Sequence, residues 1–334
     1  MMKKGLSVIM AAALLTSGTV FAAGAVEKDT VRVTVSNDRF AAKDGAPWEG
    51  QLLDKEVTLQ AGDSMESVIE RAITESGYEF TVSQYGYISS VNSLAEYAAN
   101  GSGGWMAMLN NWFTSSGTPD YTLENGGLQA GDEITMVYSC AWGADVGGIY
   151  GDFNTALSAS FSVDSSSATE LAPAFSPSKH TYTLWLTQDE DVLTMQASAE
   201  NKNYQTRFYK NGYTPEQEGT DYRGGRNIPV KDGDVLTVGV GDPAWPSMNS
   251  FAGTAEESVY TFNIKKAVTG DLNFSGSPDI EDVTLLQRAL AEFDGAWLDF
   301  SNGNVRYACD INDDGSVDVR DVTGLQRMIA EIKA

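Results

Sequence analysis

The chain has 334 residues, of which 46 are acidic and 22 basic, for a formal net charge of −24. So acidic a surface favours solubility and excludes nucleic acid and anionic membranes as natural partners. Two cysteines, Cys140 and Cys309, exclude a disulfide framework and leave room for one long-range bridge at most, and the single histidine, His180, argues against a histidine-rich zinc site.

In chain order, Lys3 and Lys4 precede an apolar stretch at 6–15 and small residues at Ala22, Ala23 and Ala25. That is the pattern of a secretory signal peptide, assigned to 1–25, and it implies an exported mature protein. Its apolar core is too short to span a bilayer, and no later run approaches the roughly 20 apolar residues of a membrane helix. From 31 to 139 the text alternates as strands do, at Val31, Val33 and Val35, then at Val57 and Leu59. One amphipathic helix is predicted over 64–76, with Met65, Val68, Ile69, Ala72 and Ile73 on one face, Ser64 as its N-cap and Gly77 as its stop. From 158 to 265 short alternating segments recur without helix signals, among them Tyr182, Leu184 and Leu186, then Tyr260, Phe262 and Ile264. These predict an all-β sandwich. The domains expected are 28–150, 155–266 and 268–334.

The last of these carries a repeat. Asp271, Asn273, Ser275, Gly276, Ser277, Asp279 and Asp282 occupy a twelve-position loop followed by a helix, and Asp310, Asn312, Asp314, Gly315, Ser316, Asp318 and Asp321 repeat it thirty-nine residues later. Oxygen ligands at alternate positions can converge on calcium, a hard cation that takes six to eight of them, and glycine at the sixth position permits the sharp turn. The following helices are also copies: Val283, Thr284, Leu286, Gln287 and Arg288 match Val322, Thr323, Leu325, Gln326 and Arg327. The expected fold class is therefore multidomain and mostly β, a small sheet-and-helix α+β domain and then a β-sandwich, with a C-terminal helical, duplicated, EF-hand-like calcium module.

Residues 270–332 resemble the type I dockerins, modules of two loop-helix repeats that bind two calcium ions and dock onto cohesin modules of scaffolding proteins. The resemblance implies that Asp271, Asn273, Ser275 and Asp282 hold one ion, with the Ser277 carbonyl and with Asp279 acting through water. Asp310, Asn312, Asp314, Asp321, Ser316 and Asp318 take the same roles for the second. It further implies recognition by Ile280, Glu281, Gln287 and Arg288 in one copy and by Val319, Arg320, Gln326 and Arg327 in the other. The first loop departs from the family at Ser275 and Pro278, and Gly324 stands where the first helix has Leu285. Losing one carboxylate at Ser275 predicts a weaker first site.

Upstream, Gly103, Gly104, Trp105 and Met106, with Tyr121, Leu123, Asp132, Ile134 and Tyr138, resemble a family related to the C-terminal β domain of transcobalamin and intrinsic factor, which helps to enclose a corrinoid. The segment with Leu171, Pro173, Phe175, Pro177 and Tyr182 is similar to bacterial cadherin-like modules. Tyr85, Tyr87, Trp105, Trp112, Phe113 and Trp142 look exposed and are candidates for a face that stacks on sugar rings or a planar ligand, although tryptophan beside glycine in a β domain is more often core.

No nucleophile elbow, zinc helix motif or phosphate-binding glycine loop is present. The expected function is that of a secreted, non-catalytic accessory protein, held on a cohesin-bearing, cellulosome-like scaffold by two calcium ions and presenting modules for binding or adhesion. The alternatives are a small polysaccharide-active enzyme or a corrinoid-binding or other small-ligand protein on the same scaffold. Chelation is expected to unfold the C-terminal module and leave the upstream domains standing.

Overall fold

Val31, Val33 and Val35 alternate with polar residues, and the strand they form, β1 (Thr30–Asn37), buries all three completely. The computed structural model describes residues 29–83, 86–165, 170–213, 221–293 and 298–332, so the signal peptide assigned to 1–25 lies outside the described residues. Among the described residues the protein is mostly β, with four α-helices. Its buried apolar side chains gather in three clusters, one for each stretch of contrasting sequence pattern.

In the first unit, β1 pairs antiparallel with β2 (Gly50–Thr58). The helix α1 (Met65–Glu75) packs against this sheet with Met65, Val68, Ile69, Ala72 and Ile73 buried, the face read from the sequence. Ser64 caps it: the Ser67 amide donates to Ser64 Oγ, and the Ser64 amide donates to Ser67 Oγ. Asp63, just outside the cap, accepts from both terminal nitrogens of Arg71 at 2.9 and 2.5 Å, which fastens the incoming turn to the helix one and a half turns on. After α1 come β3 (Phe80–Val82), β4 (Ile88–Val91) and β5 (Leu94–Ala95), a small antiparallel sheet. The strands β6 (Gly104–Leu109), β7 (Trp112–Phe113) and β8 (Glu133–Ser139) complete a five-stranded main sheet in the order β2-β1-β8-β6-β7. The β1–β8 pair is parallel, so the sheet is mixed.

The second unit comprises β9 (Ser162–Asp164), β10 (Glu170–Ala172), β11 (Thr181–Thr187), β12 (Val192–Gln196), β13 (Thr206–Lys210), β14 (Ile228–Pro229), β15 (Val235–Val240) and β16 (Ser258–Ala267). They form two sheets, β10-β11-β16-β15-β13 and β14-β12-β9, over a core that includes Tyr182, Leu184, Met195, Phe262 and Ile264. In β15 the alternation fails: Thr237 and Gly239 are buried as well as Leu236 and Val238. The reason is a cover on the outer face, where a Cβ on Gly239 would lie 3.1 Å from the Trp245 ring.

The two upstream units are joined by polar contacts. Arg223 donates to both oxygens of Asp132 at 2.5 and 2.8 Å and to the Gly126 and Gly127 carbonyls, while the Phe113 amide donates to the Lys202 carbonyl at 2.7 Å. Burial against Gly147 pushes the Lys202 amine below its usual pKa.

The third unit holds α2 (Ile280–Leu290), α3 (Gly303–Cys309) and α4 (Val319–Ile332) around Leu272, Val283, Leu286, Val305, Val322 and Leu325. It leans on the sandwich: Asn302 and Asn304 donate to Glu170 at 2.7 and 2.9 Å, and the Phe274 ring lies 4.7 Å from that of Trp185. No helix among the described residues is long and apolar enough to cross a membrane.

Candidate metal centre

The two acidic loops fold by the same set of hydrogen bonds. In the first, Asp271 accepts from the Ser275 and Gly276 amides, and in the second Asp310 accepts from Asp314 and Gly315. The ninth residue caps the following helix, with the Glu281 amide donating to Asp279 and the Arg320 amide to Asp318, each at 2.7 Å. Asp282 at the twelfth position accepts from Leu272, Asn273 and Asp279 at 2.8, 3.0 and 2.7 Å. Asp321 accepts from Ile311, Asn312 and Asp318 at 2.9, 3.3 and 2.7 Å.

Backbone conformations repeat too. The fourth residues, Phe274 and Asp313, have φ of 55° and 54°, and the sixth, Gly276 and Gly315, have φ of 106° and 80°. No atom lies within 4 Å of the Cβ that either glycine lacks, so glycine is needed there for its left-handed backbone and not for space.

The donor set suits a hard cation. Asp282 and Asp321 have no exposed surface and Asp271 has 2%, and their partners in the loops are main-chain amides, which leaves buried negative charge for an ion to neutralise. Among the described residues no three His, Cys, Asp or Glu side chains form a metal cluster. The remaining donors of these loops are Asn, Ser and main-chain oxygens. If calcium is bound, Asp271, Asn273, Ser275, Ser277 and Asp282 hold one ion with Asp279 beside it, and Asp310, Asn312, Asp314, Ser316 and Asp321 hold the other with Asp318 beside it.

Besides Ser275, the loops differ in the charge around them. Arg320 pairs with Asp314 at 2.8 Å and with Asp318 at 2.7 Å, and its hydrogen bonds hold the Asp318 carboxyl below the usual carboxylate range. Arg306 donates to the Gly315 carbonyl. The equivalent of Arg320 in the first repeat is Glu281, so the second loop carries positive charge that the first lacks. Between the repeats lies Cys309, fully buried, its thiol pushed up to about 12 by burial and by the charges of Asp321 and Asp282.

Both copies of the recognition set are on the surface. Ile280 is 61% exposed and Val319 70%, which is unusual for β-branched apolar residues and occurs at the same place in the two helices. Glu281, Gln287 and Arg288 are exposed, as are Arg320, Gln326 and Arg327. At Gly324 a Cβ would sit 3.0 Å from Ile311 Cγ2, tighter than ordinary van der Waals contact, so a leucine like that of the first repeat would require Ile311 to shift.

The aromatic candidates are not one face. Tyr85 lies outside the described residues. Trp105, Trp112 and Phe113 are 3, 7 and 1% exposed, which corrects their reading as exposed residues. Trp105 packs edge-on to Tyr138 and bonds Leu94 through its indole nitrogen, and Trp112 packs edge-on to Tyr121. Tyr87 and Trp105 reach the wall of one cavity while Trp112 lines a different groove, and Trp142 is open to solvent against Tyr97. His180 stacks on Tyr260 and bonds the Val259 carbonyl, and both cysteines are free thiols.

Sequence reasoning missed α3, Trp185 and Glu170, the three features that seat the C-terminal unit on the sandwich. A helix of seven residues is too short to display a period, and nothing local marks Trp185 as a partner of a residue far along the chain. No protein-family model matches the chain, and no curated protein matches it.

Proposed function

We propose that this chain is a secreted, non-catalytic accessory protein that docks, through a calcium-dependent dockerin-like module, onto a cohesin-bearing scaffold and presents its two β-rich units there. One observation carries the reading: two loops with the same hydrogen bonds and the same left-handed positions each launch a helix whose outer face is exposed at equivalent apolar, Gln and Arg residues. Duplicate loops alone fit a structural clamp. Duplicate exposed faces beside them fit a partner that meets either copy.

Calcium, when bound, supplies a fixed positive centre that holds each loop against its helix and couples ion binding to folding of the module. The chain's own residues set the docking surface: Ile280 and Val319 offer apolar contact, and Gln287, Arg288, Gln326 and Arg327 offer hydrogen bonds from the helix faces. Opposite charges at Glu281 and Arg320 make the two binding orientations unequal.

The test is a capture experiment with the mature protein as bait on extracellular and cell-wall fractions, in calcium and again in chelator. A cohesin-bearing protein retained only in calcium, and lost with the Asp282→Ala, Asp321→Ala double variant, is the expected result. Equal recovery in chelator, or none in calcium, overturns the reading.

A further inference from the structure

A cavity of about 330 Å3 opens in the first unit beside β6, at the small end of the ~300–1,000 Å3 range of ligand pockets. Its walls are three rings, Tyr87, Trp105 and Phe113, and three thioethers, Met106, Met136 and Met248. Met248 belongs to the connection between β15 and β16, so the second unit closes a cavity that the first unit builds. Nothing about this site depends on the docking module.

The lining is chemically selective. Charged residues make up 20% of the chain, yet none of the described residues lining this cavity carries a charge; Glu66 comes near it behind Gly86, where a Cβ would lie 3.1 Å from Glu66 Oε1. An ionic guest would surrender its hydration with no counter-charge in the lining in return. A sugar would present a ring of hydroxyls, and the lining has no carboxylate, carboxamide or guanidinium to receive them. Four of its hydroxyls lie in one short segment, at Thr114, Ser115, Ser116 and Thr118, with Ser115 Oγ already 3.5 Å from Tyr121 Oη, and the Tyr87 hydroxyl already accepts from the Trp105 amide. What remains fits a flat apolar body with one polar edge. Aromatic walls favour stacked or edge-to-face rings, and thioether sulfur makes favourable contacts with ring edges while its flexible chain adapts to shape.

The aromatic wall is also fixed in advance. The Trp105 amide donates to Tyr87 Oη at 2.9 Å and its indole nitrogen to the Leu94 carbonyl at 3.0 Å, so the two rings are held without help from a guest. We propose that this cavity is a binding site for a small, neutral aromatic molecule with a single hydrogen-bonding group, a substituted phenol being the simplest example.

The test uses the mature full chain labelled with 13C at the methionine methyls. Titration with 4-methylphenol is expected to shift the Met106, Met136 and Met248 signals together and saturably, while Met65 and Met195, fully buried elsewhere, stay in place. The anionic 4-methylbenzoate and cationic 4-methylbenzylammonium are expected to bind at least tenfold more weakly, and cellobiose to move none of the three. Ala107→Phe, which fills the cavity from its lining, should abolish the shifts. Met248→Ala, which truncates a half-buried side chain on the β15–β16 connection, should weaken binding at least threefold. The absence of a saturable shift, equal affinity for a charged analogue, displacement of the same three signals by cellobiose, or unchanged binding in Met248→Ala overturns the proposal.

Discussion

Asp63 illustrates how single residues steady this fold. Burial acts to raise its pKa, but hydrogen bonds from Arg71, the Gln60 amide and Ser67 outweigh that and hold the carboxyl below the usual range. A carboxylate depressed in the folded state stabilises fully above its unfolded pKa of about 3.9, and that stabilisation is lost as pH falls through the folded value. Asp63→Asn is therefore expected to cost about 2–3 kcal/mol near neutrality. The gap between variant and parent should begin to narrow below about pH 4 and keep closing as pH falls through the folded value. Urea unfolding of both at neutral and acid pH measures it, and a gap that persists undiminished in acid contradicts the charge-based account.

At the scale of elements, the two loops share a backbone and differ in charge. Ser275 gives the first loop one carboxylate fewer than the second, where Asp314 stands, so calorimetry should resolve two unequal calcium sites with the second tighter. Arg320 works against that difference by sitting on Asp314 and Asp318, though an exposed pair of this kind contributes little. Arg320→Ala should tighten the second site by roughly two- to fivefold and leave the first unchanged. Two equal sites in the parent, or a change confined to the first loop, would refute this assignment of charges. The helices repeat as the loops do, with Gly324 the exception, packed close to Ile311.

Across the whole molecule, the C-terminal unit is packed and not tethered, and that modifies the expectation of independent unfolding. Phe274, inside the first loop, rests on Trp185 of the sandwich, and Glu170 receives two asparagines from around α3. Chelation should therefore alter the fluorescence of Trp185 and lower the sandwich melting temperature by about 4 °C, the shift expected for a contact worth about 1 kcal/mol in a unit of roughly 110 residues. In Phe274→Ala the sandwich transition should respond less to chelator, the Glu170 contacts with Asn302 and Asn304 remaining. A sandwich that melts identically with and without calcium in the parent would show the contact to be energetically idle.

What the sequence determined by itself is whatever repeats over a short span. Valines two apart made β1, the spacing of Met65, Val68, Ile69, Ala72 and Ile73 made the buried face of α1, and loop oxygens at alternate positions made two matching turns. Each follows from backbone period or turn geometry within a dozen residues. Tertiary structure decided which aromatics are covered. Trp105, Trp112 and Phe113 are buried and Trp142 is not, because burial depends on neighbours such as Tyr138 and Tyr121 brought from elsewhere in the fold. It also assembled the cavity, whose walls come from positions as distant as Tyr87 and Met248, and it seated the first loop on Trp185. Contacts between residues so far apart depend on how strands and units pack, and no local spacing in the chain records that packing.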